Sequence, residues 1–459
     1  MSEQIFVDRV EEISILENKY KKDNAEFIVI YGRRRIGKSE LIKHFLKGKN
    51  GVYFLAREES EKNQLKILSQ KLSEFFKDEV LKKNPFSSWD AVFEYLAEKS
   101  SNRIIIALDE FPNLVAENHS LPSIFQDYWE NKLKKTKIFI IVCGSSISMM
   151  EKEIFSHKSP LYGRRTAQLL LKPFNFRSVF NYLNKNLGKS FEEAVEFYAV
   201  FGGTPQYVMS INNKSIFDNI ENILKPDSIL FNDVEFLLRD ELRKPRYYFS
   251  VLHSVAKGNT KLSDVINDTG LKRELVAKYL SVLSDLQFIK REVPVTENKL
   301  KSRKGVYVIS DDFFRFWFRY VYPRKDEIQL DKSEVESEIK NSFAQYVSKT
   351  FEDVCKEALV ILKERKQVLD FEKKGRWWYG DKEIDIVAFN EKNIVFAECK
   401  WKNNVDVKKV FEELKEKSKY LPQNKIKKYI IFAKSFKDKI EEEDLFLFDL
   451  KDLEALFKS

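Results

Sequence analysis

The chain reads Gly32-Arg33-Arg34-Arg35-Ile36-Gly37-Lys38-Ser39-Glu40, the spacing G-x-x-x-x-G-K-S. An apolar run, Phe27 to Tyr31, precedes it, and a helix-like stretch through Leu41, Ile42 and Phe45 follows. Strand, glycine loop and helix in that order make a phosphate cradle. The glycines let successive N–H groups converge on an anion, and the helix start adds unpaired donors and the positive end of its dipole. In that frame Lys38 reaches the β- and γ-phosphates of ATP and Ser39 holds Mg²⁺. The plainer reading is a glycine turn before a surface helix.

Hydrolysis needs carboxylates, and two stand at the end of the apolar run Ile104 to Leu108. Asp109 is expected in the magnesium shell, and Glu110 as the general base that orients and deprotonates water. A third run, Lys137 to Cys143, ends in Gly144-Ser145-Ser146. Ligands of open α/β sheets bind at that carboxyl edge, so Ser145 or Ser146 is placed to sense a γ-phosphate. Either serine would serve equally as the N-cap of a helix from Ile147. Arg164 and Arg165 lie on a loop before the strand-like Ala167 to Leu171. They are candidates for the cation that neutralises transition-state charge, or simply solvated.

The elements that position these groups belong to a chain of 459 residues, too long for one core. Three cysteines, Cys143, Cys355 and Cys399, lie far apart in sequence and give neither a disulfide framework nor zinc spacing. Four scattered histidines leave little material for a histidine metal site or a Ser/His triad. The amino end lacks a basic-then-apolar leader, and no apolar run is long enough for a bilayer, so a soluble cytoplasmic protein without membrane partners is expected.

Several of these motifs, in this order, carry a resemblance. Phe6-Val7-Asp8-Arg9 with Glu12, the phosphate loop, Leu108-Asp109-Glu110, Cys143-Gly144-Ser145-Ser146, Pro160 to Arg165 and Gly202-Gly203-Thr204-Pro205 together resemble the archaeal-type ATPase family, of the AAA+/STAND-like P-loop ATPases. The resemblance covers roughly the first half of the chain. It implies that the segment from Phe6 to Arg9 lies against adenine, that Pro205 touches the nucleotide from a helical lid, and that Arg164 or Arg165 acts as finger or sensor, within one subunit or across an oligomer.

From Pro173 to about Arg243 the pattern is helical, as a lid requires. Residues 246–310 then show three helices of three-and-four spacing and two β-like runs separated by Asn298 to Lys304, a winged helix-turn-helix pattern. This stretch has twelve Lys or Arg against six acids, a net +6 of the chain's +9. The excess suits DNA, with Lys272, Arg273, Lys278 and the wing basics on the backbone. The alternative is a structural arm with solvated lysines. The aromatic run Phe313 to Tyr322 is read as a buried connector rather than a base-stacking surface.

Beyond Ser333 the order is a helix containing Glu352, three β-like runs, a helix and a strand. That order, with Asp385 and the spacing Glu398-Cys399-Lys400, resembles the PD-(D/E)xK nuclease superfamily, with Ile384 where the motif name has proline. Asp385 and Glu398 would converge on one Mg²⁺, and Lys400, two residues on and therefore on the face of Glu398, would stabilise an attacking hydroxide. Glu352 is a candidate additional acid. The bland reading is a strand with exposed acids and a lysine.

The expected architecture is multidomain α/β. It comprises a P-loop AAA+-type core with a parallel sheet (1–172), a helical lid (173–243), the winged helix (244–310), the aromatic connector (311–340) and a restriction-endonuclease-like domain (341–459). The expected function is ATP hydrolysis coupled to DNA binding and a nuclease-like tail. The competing expectation is a nucleotide-gated regulator of DNA or protein, slow in turnover and with an inert tail.

Overall fold

Runs such as Phe27-Ile28-Val29-Ile30 put apolar side chains on both faces of a strand, which is stable only where both faces are covered. The computed structural model, which describes residues 7–242 and 244–458, divides into two units, residues 1–173 and 174–459. In the first, such runs form a five-stranded, wholly parallel sheet. Its strands are β1 (Glu26–Tyr31), β2 (Gly51–Leu55), β3 (Ile104–Asp109), β4 (Ile138–Gly144) and β5 (Ala167–Leu170), in the order β2-β3-β4-β1-β5.

Alternation divides the two faces. Phe27, Val29, Ile106, Leu108, Ile140 and Val142 enter one core with Leu65, Phe93 and Phe125. Ile28, Ile30, Ile105, Ala107, Phe139 and Ile141 enter the other with Leu16, Leu41 and Phe45. The parallel register aligns the strand ends, pairing Tyr31 with Gly144 and Leu55 with Asp109. The loops after β1, β3 and β4 therefore emerge along one edge.

The second unit opens with helices from Phe176–Leu187 to Ile229–Glu241. Ser190 caps the helix Phe191–Phe201 in a capping box with Glu193, and Ser215 does the same for Ile216–Ile223 with Asp218. Helices Arg246–Ala256, Leu262–Thr269 and Arg273–Asp285 follow, then an antiparallel ribbon of β6 (Ile289–Glu292) and β7 (Val306–Ile309). The aromatic run is buried at Phe313, Phe314, Phe316, Trp317, Phe318 and Tyr320, as its amphipathic failure predicts.

A helix of 32 residues, Ser333–Glu364, precedes a mixed sheet. Its strands are β8 (Lys373–Tyr379), β9 (Lys382–Phe389), β10 (Asn393–Lys400), β11 (Ile426–Ala433) and β12 (Leu445–Phe448), ordered β12-β11-β10-β9-β8. β8, β9 and β10 are antiparallel neighbours; β10, β11 and β12 run parallel. The helix Val407–Ser418 makes the β10 to β11 crossover that a parallel pair needs. β12 and the helix Leu450–Lys458 lie beyond the elements read from the sequence. Among the described residues no helix is long and apolar enough to cross a membrane.

Candidate phosphate-loop and carboxylate sites

The loop after β1 has the geometry its glycines permit. Gly32 has φ +150°, and a Cβ there would sit 2.6 Å from the Leu171 carbonyl oxygen. Gly37, at φ +86°, is the N-cap of the helix Lys38–Leu46. Arg35 takes φ +71° between them. Lys38 is buried and donates from Nζ to the carbonyl oxygens of Gly32 (2.8 Å) and Arg33 (2.9 Å), curled over its own loop. Arg9 braces the loop from outside: its guanidinium donates to the carbonyls of Ile36 (2.9 Å) and Lys172 (2.8 Å) and to Glu12 (3.0 Å). Glu40 is half-buried on the helix and pairs with Lys43. Phe6 lies outside the described residues.

At the end of β3, Asp109 is fully buried, and its Oδ2 accepts from the Ser39 hydroxyl (2.5 Å) and the Tyr53 hydroxyl (2.6 Å). Burial, then the hydrogen bond to Asp109, raises the Tyr53 phenol well above its ordinary range, so Tyr53 remains a donor. Ser39 and Asp109 thus place a hydroxyl and a carboxylate oxygen side by side, the kind of hard-oxygen pair that could hold a magnesium ion which keeps several waters. Glu110 stands in the left-handed region at φ +55°, and its Oε2 accepts from the Ser145 hydroxyl (2.9 Å) and amide (3.2 Å). Ser146 is the N-cap of Ile147–Met150. Of the two serines, Ser146 is thus the cap, while Ser145 is bonded to Glu110.

Arg164 donates to the Tyr162 carbonyl (2.7 Å) and faces Glu130 at 3.4 Å. Arg165 donates to Gln168 (2.6 Å) and lies over the Phe155 ring. Pro205 opens the short helix Pro205–Val208 of the second unit; there Thr204 donates to Asp311 at 2.8 Å.

In the carboxyl-terminal sheet, β9 and β10 pair Ile386 with Ala397, and one further step of that register sets Asp385 opposite Glu398. Asp385 Oδ2 accepts from the Cys399 amide at 2.8 Å. Glu398 Oε1 accepts from Lys400 (2.8 Å) and Lys417 (3.1 Å), while its buried Oε2 has no hydrogen-bond partner. Burial, then the Glu398 and Glu352 charges, pushes the Asp385 carboxyl well above its usual range. Lys400 is opposed by its own burial, but the Glu398 carboxylate outweighs this and raises it, so it stays an ammonium. Glu352 lines the same cavity as these two acids but is engaged by cations, tied to Lys349 at 2.5 Å and facing Arg376 at 3.7 Å.

Among the described residues no three His, Cys, Asp or Glu converge as a metal cluster. The carboxylate complement is therefore the pair Asp385 and Glu398, and the unsatisfied Oε2 between them fits a hydrated divalent cation. These acids open into a cavity of about 610 Å³, also lined by Lys290, Arg315, Arg319 and Lys349. Cys355 and Cys399, remote in sequence, are hydrogen-bonded neighbours here, both buried and free. Their spacing alone gave no sign of this.

In the preceding three-helix stretch, Lys272, Arg273, Lys278, Lys299, Lys301 and Arg303 are exposed. Others of the basic set are committed internally: Lys257 pairs with Asp268, Lys290 with Glu292, and Arg291 donates to the carbonyls of Lys299 and Ser302.

An uncharacterized protein of Methanocaldococcus jannaschii is 39% identical over 458 residues, covering 98% of this chain and all of that one. Residues 6–211 match the family described as an ATPase domain predominantly from Archaea. The chain belongs to this archaeal ATPase family. A second M. jannaschii protein, named as an uncharacterized ATP-binding protein, is 23% identical over 357 residues, 63% of this chain and 90% of that one. Residues 317–410 of this family member match a set described as archaeal and bacterial proteins of unknown function. The Walker-type ATPase of Pyrococcus abyssi superposes with a TM-score of 0.52 at 21% identity, over 68% of this chain and 96% of that one, and so shares the fold.

Two groups in the archaeal ATPase escaped sequence reasoning. Tyr53 precedes Asp109 by 56 residues and has no motif around it; only the pairing of β2 with β3 brings it there. Lys417 sits on the crossover helix, 19 residues from Glu398, in a lysine-rich segment that hides it.

Proposed function

We propose that the protein is an ATP hydrolase that couples its nucleotide state to a DNA-binding winged helix and a metal-dependent nuclease-like carboxyl-terminal domain, divided near residues 172, 243, 310 and 340. The convergence of Ser39, Asp109, Glu110 and Ser145 at the phosphate loop supports the ATPase part most strongly. Magnesium held by Ser39 and Asp109 would supply charge neutralisation at the β- and γ-phosphates. Lys38, released from Gly32 and Arg33, turns to the phosphates; Glu110 positions water and takes its proton. Arg164 or Arg165 stabilises the developing charge once freed from its present partners, and Pro205 belongs to the lid. ATP-binding in the M. jannaschii relative's name agrees with this reading.

For the carboxyl-terminal domain, the support is the orphaned Glu398 Oε2 beside Asp385. The exposed Lys272, Arg273 and Lys278 support duplex contact by the helix Arg273–Asp285. One observation favours a slower, gated device: Glu110 is engaged by two Ser145 donors and must leave them to act as a base. ATP turnover by Glu110→Gln tests the proposal. The expected loss is about 10²- to 10⁴-fold in kcat with ATP binding retained, the range of a general base; undiminished turnover overturns the assignment.

A further inference from the structure

Two grooves meet at the tip of the β8–β9 hairpin. The first, about 610 Å³, runs between the helices Leu262–Thr269 and Arg273–Asp285 and the loop before β7. Its charged lining is Lys261, Arg273, Arg303 and Lys304, with no acid, and Trp378 and Gly380 form its floor. The second, about 450 Å³, lies on the other side of β8 and is lined by Trp377, Tyr379, Tyr420 and Lys304, and by one acid, Glu297, which pairs with Lys304 at 2.6 Å. Lys304 and Trp378 line both, so the two grooves adjoin at the hairpin and together make up one trough.

Trp377 belongs to the core beneath, but the two tyrosines do not. Tyr379 is 56% and Tyr420 54% exposed, their rings 6.3 Å apart, with Lys382 over Tyr420 and Lys304 over Tyr379. Exposed rings interleaved with cations offer a stacking face and a counter-charge together, the combination that suits a flat, anionic partner.

The sheet gives the trough a direction. Trp378 pairs with Glu383 across the antiparallel ladder, so their side chains share a face. Arg376, two residues before Trp378, lines the carboxylate cavity together with Glu383, Asp385 and Glu398. A chain lying on Trp378 therefore meets Arg376 and Glu383, which border the cavity of the acids.

We propose that this trough binds a single-stranded nucleic-acid segment, with bases stacked on Tyr420, Tyr379 and Trp378, phosphates on Lys261, Arg273, Arg303 and Lys304, and the strand led toward Asp385. The inference rests on the reading that this unit acts on nucleic acid, and narrows it to unpaired strands beside a duplex. Duplex stacking buries base faces, so only an unpaired segment offers them to these rings.

The test is fluorescence anisotropy on the full chain in EDTA, with three labelled probes of about 20 nucleotides: oligothymidine, oligouridine and a blunt DNA duplex. Stacking does not read the 2′-hydroxyl, so both single strands are expected to bind. Tyr379→Ala with Tyr420→Ala should weaken single-strand binding about 10- to 100-fold and leave the blunt duplex within about twofold. Tyr379→Phe with Tyr420→Phe, which keeps the rings, should restore it. Lys272→Ala with Lys278→Ala should weaken the duplex more than the single strands. Unchanged single-strand affinity in the alanine pair, or duplex binding by the wild type without single-strand binding, overturns this inference while sparing the broader reading. Failure of the wild type to bind any probe overturns both.

Discussion

Glu110 Oε2 accepts two hydrogen bonds from Ser145, one from its hydroxyl at 2.9 Å and one from its amide at 3.2 Å. The residue proposed to activate water is therefore tethered to the neighbouring strand end. Releasing the hydroxyl donor frees a charged acceptor from a bond worth about 1.5–3 kcal/mol. Ser145→Ala is expected to raise basal ATP turnover about 3- to 10-fold, measured as steady-state phosphate release. A fall in kcat would instead make Ser145 a direct contributor to turnover.

Tyr53 and Ser39 are both donors to the fully buried Asp109. Tyr53→Phe leaves that carboxylate one donor short, at a cost of about 1–3 kcal/mol to the nucleotide-free protein. Urea unfolding should show the deficit without ligand and a smaller one with Mg²⁺ and a non-hydrolysable ATP analogue, because the cation compensates Asp109. An equal deficit in both conditions would detach Asp109 from the metal.

Asp385 and Glu398 oppose one another in a buried setting that pushes the Asp385 carboxyl up. Asp385→Asn removes that repulsion and retains an acceptor for the Cys399 amide. The melting temperature in EDTA at pH 8 is expected to rise by roughly 2–4 °C, the equivalent of about 1 kcal/mol. Stabilisation of the parent chain by added Mg²⁺ or Mn²⁺ is expected, and in Asp385→Asn it should disappear. A variant still stabilised by the metals would place the cation elsewhere.

Glu196, on the helix Phe191–Phe201, is pushed up to about 7 by burial and then by Glu192, against Lys434. Its folded form binds a proton that the unfolded chain, with an ordinary carboxyl near 4.3, does not. Stability from this group therefore falls as pH rises between those two values, and is greatest at the acid end of the window. Urea midpoints at pH 5 and pH 8 should differ between the parent and Glu196→Gln, with Glu196→Gln relatively more stable at pH 8. Parallel pH profiles would refute the shift.

Much of the first unit was legible because its signals are local. A parallel strand covered on both faces must be apolar at every position, so β1, β3 and β4 stand out as unbroken runs, and the loop spacing is fixed by what glycine alone tolerates at Gly32 and Gly37. The same holds for Asp385 and Glu398, whose facing follows from strand alternation on two adjacent runs. Tyr53, Lys417 and the contact of Cys355 with Cys399 were not legible, since each depends on which distant elements pair. The edge strand β8 gave its aromatic run but no hint that residues 294–305 would lie along it, with the Val295 amide donating to the Arg376 carbonyl at 2.9 Å.

The sequence by itself determined the chemistry available: a phosphate loop, acids at strand ends, an E-x-K spacing and a basic stretch from 246 to 310. Residue type and short-range spacing suffice for that, because backbone periodicity dictates which neighbours share a face. Only the tertiary structure decided which hydroxyl serves Glu110 and which caps a helix, that Glu398 keeps an unsatisfied oxygen, and that exposed tyrosines and lysines from separate segments line one trough. Those outcomes depend on long-range packing, where burial and charge act through contacts that no local pattern encodes.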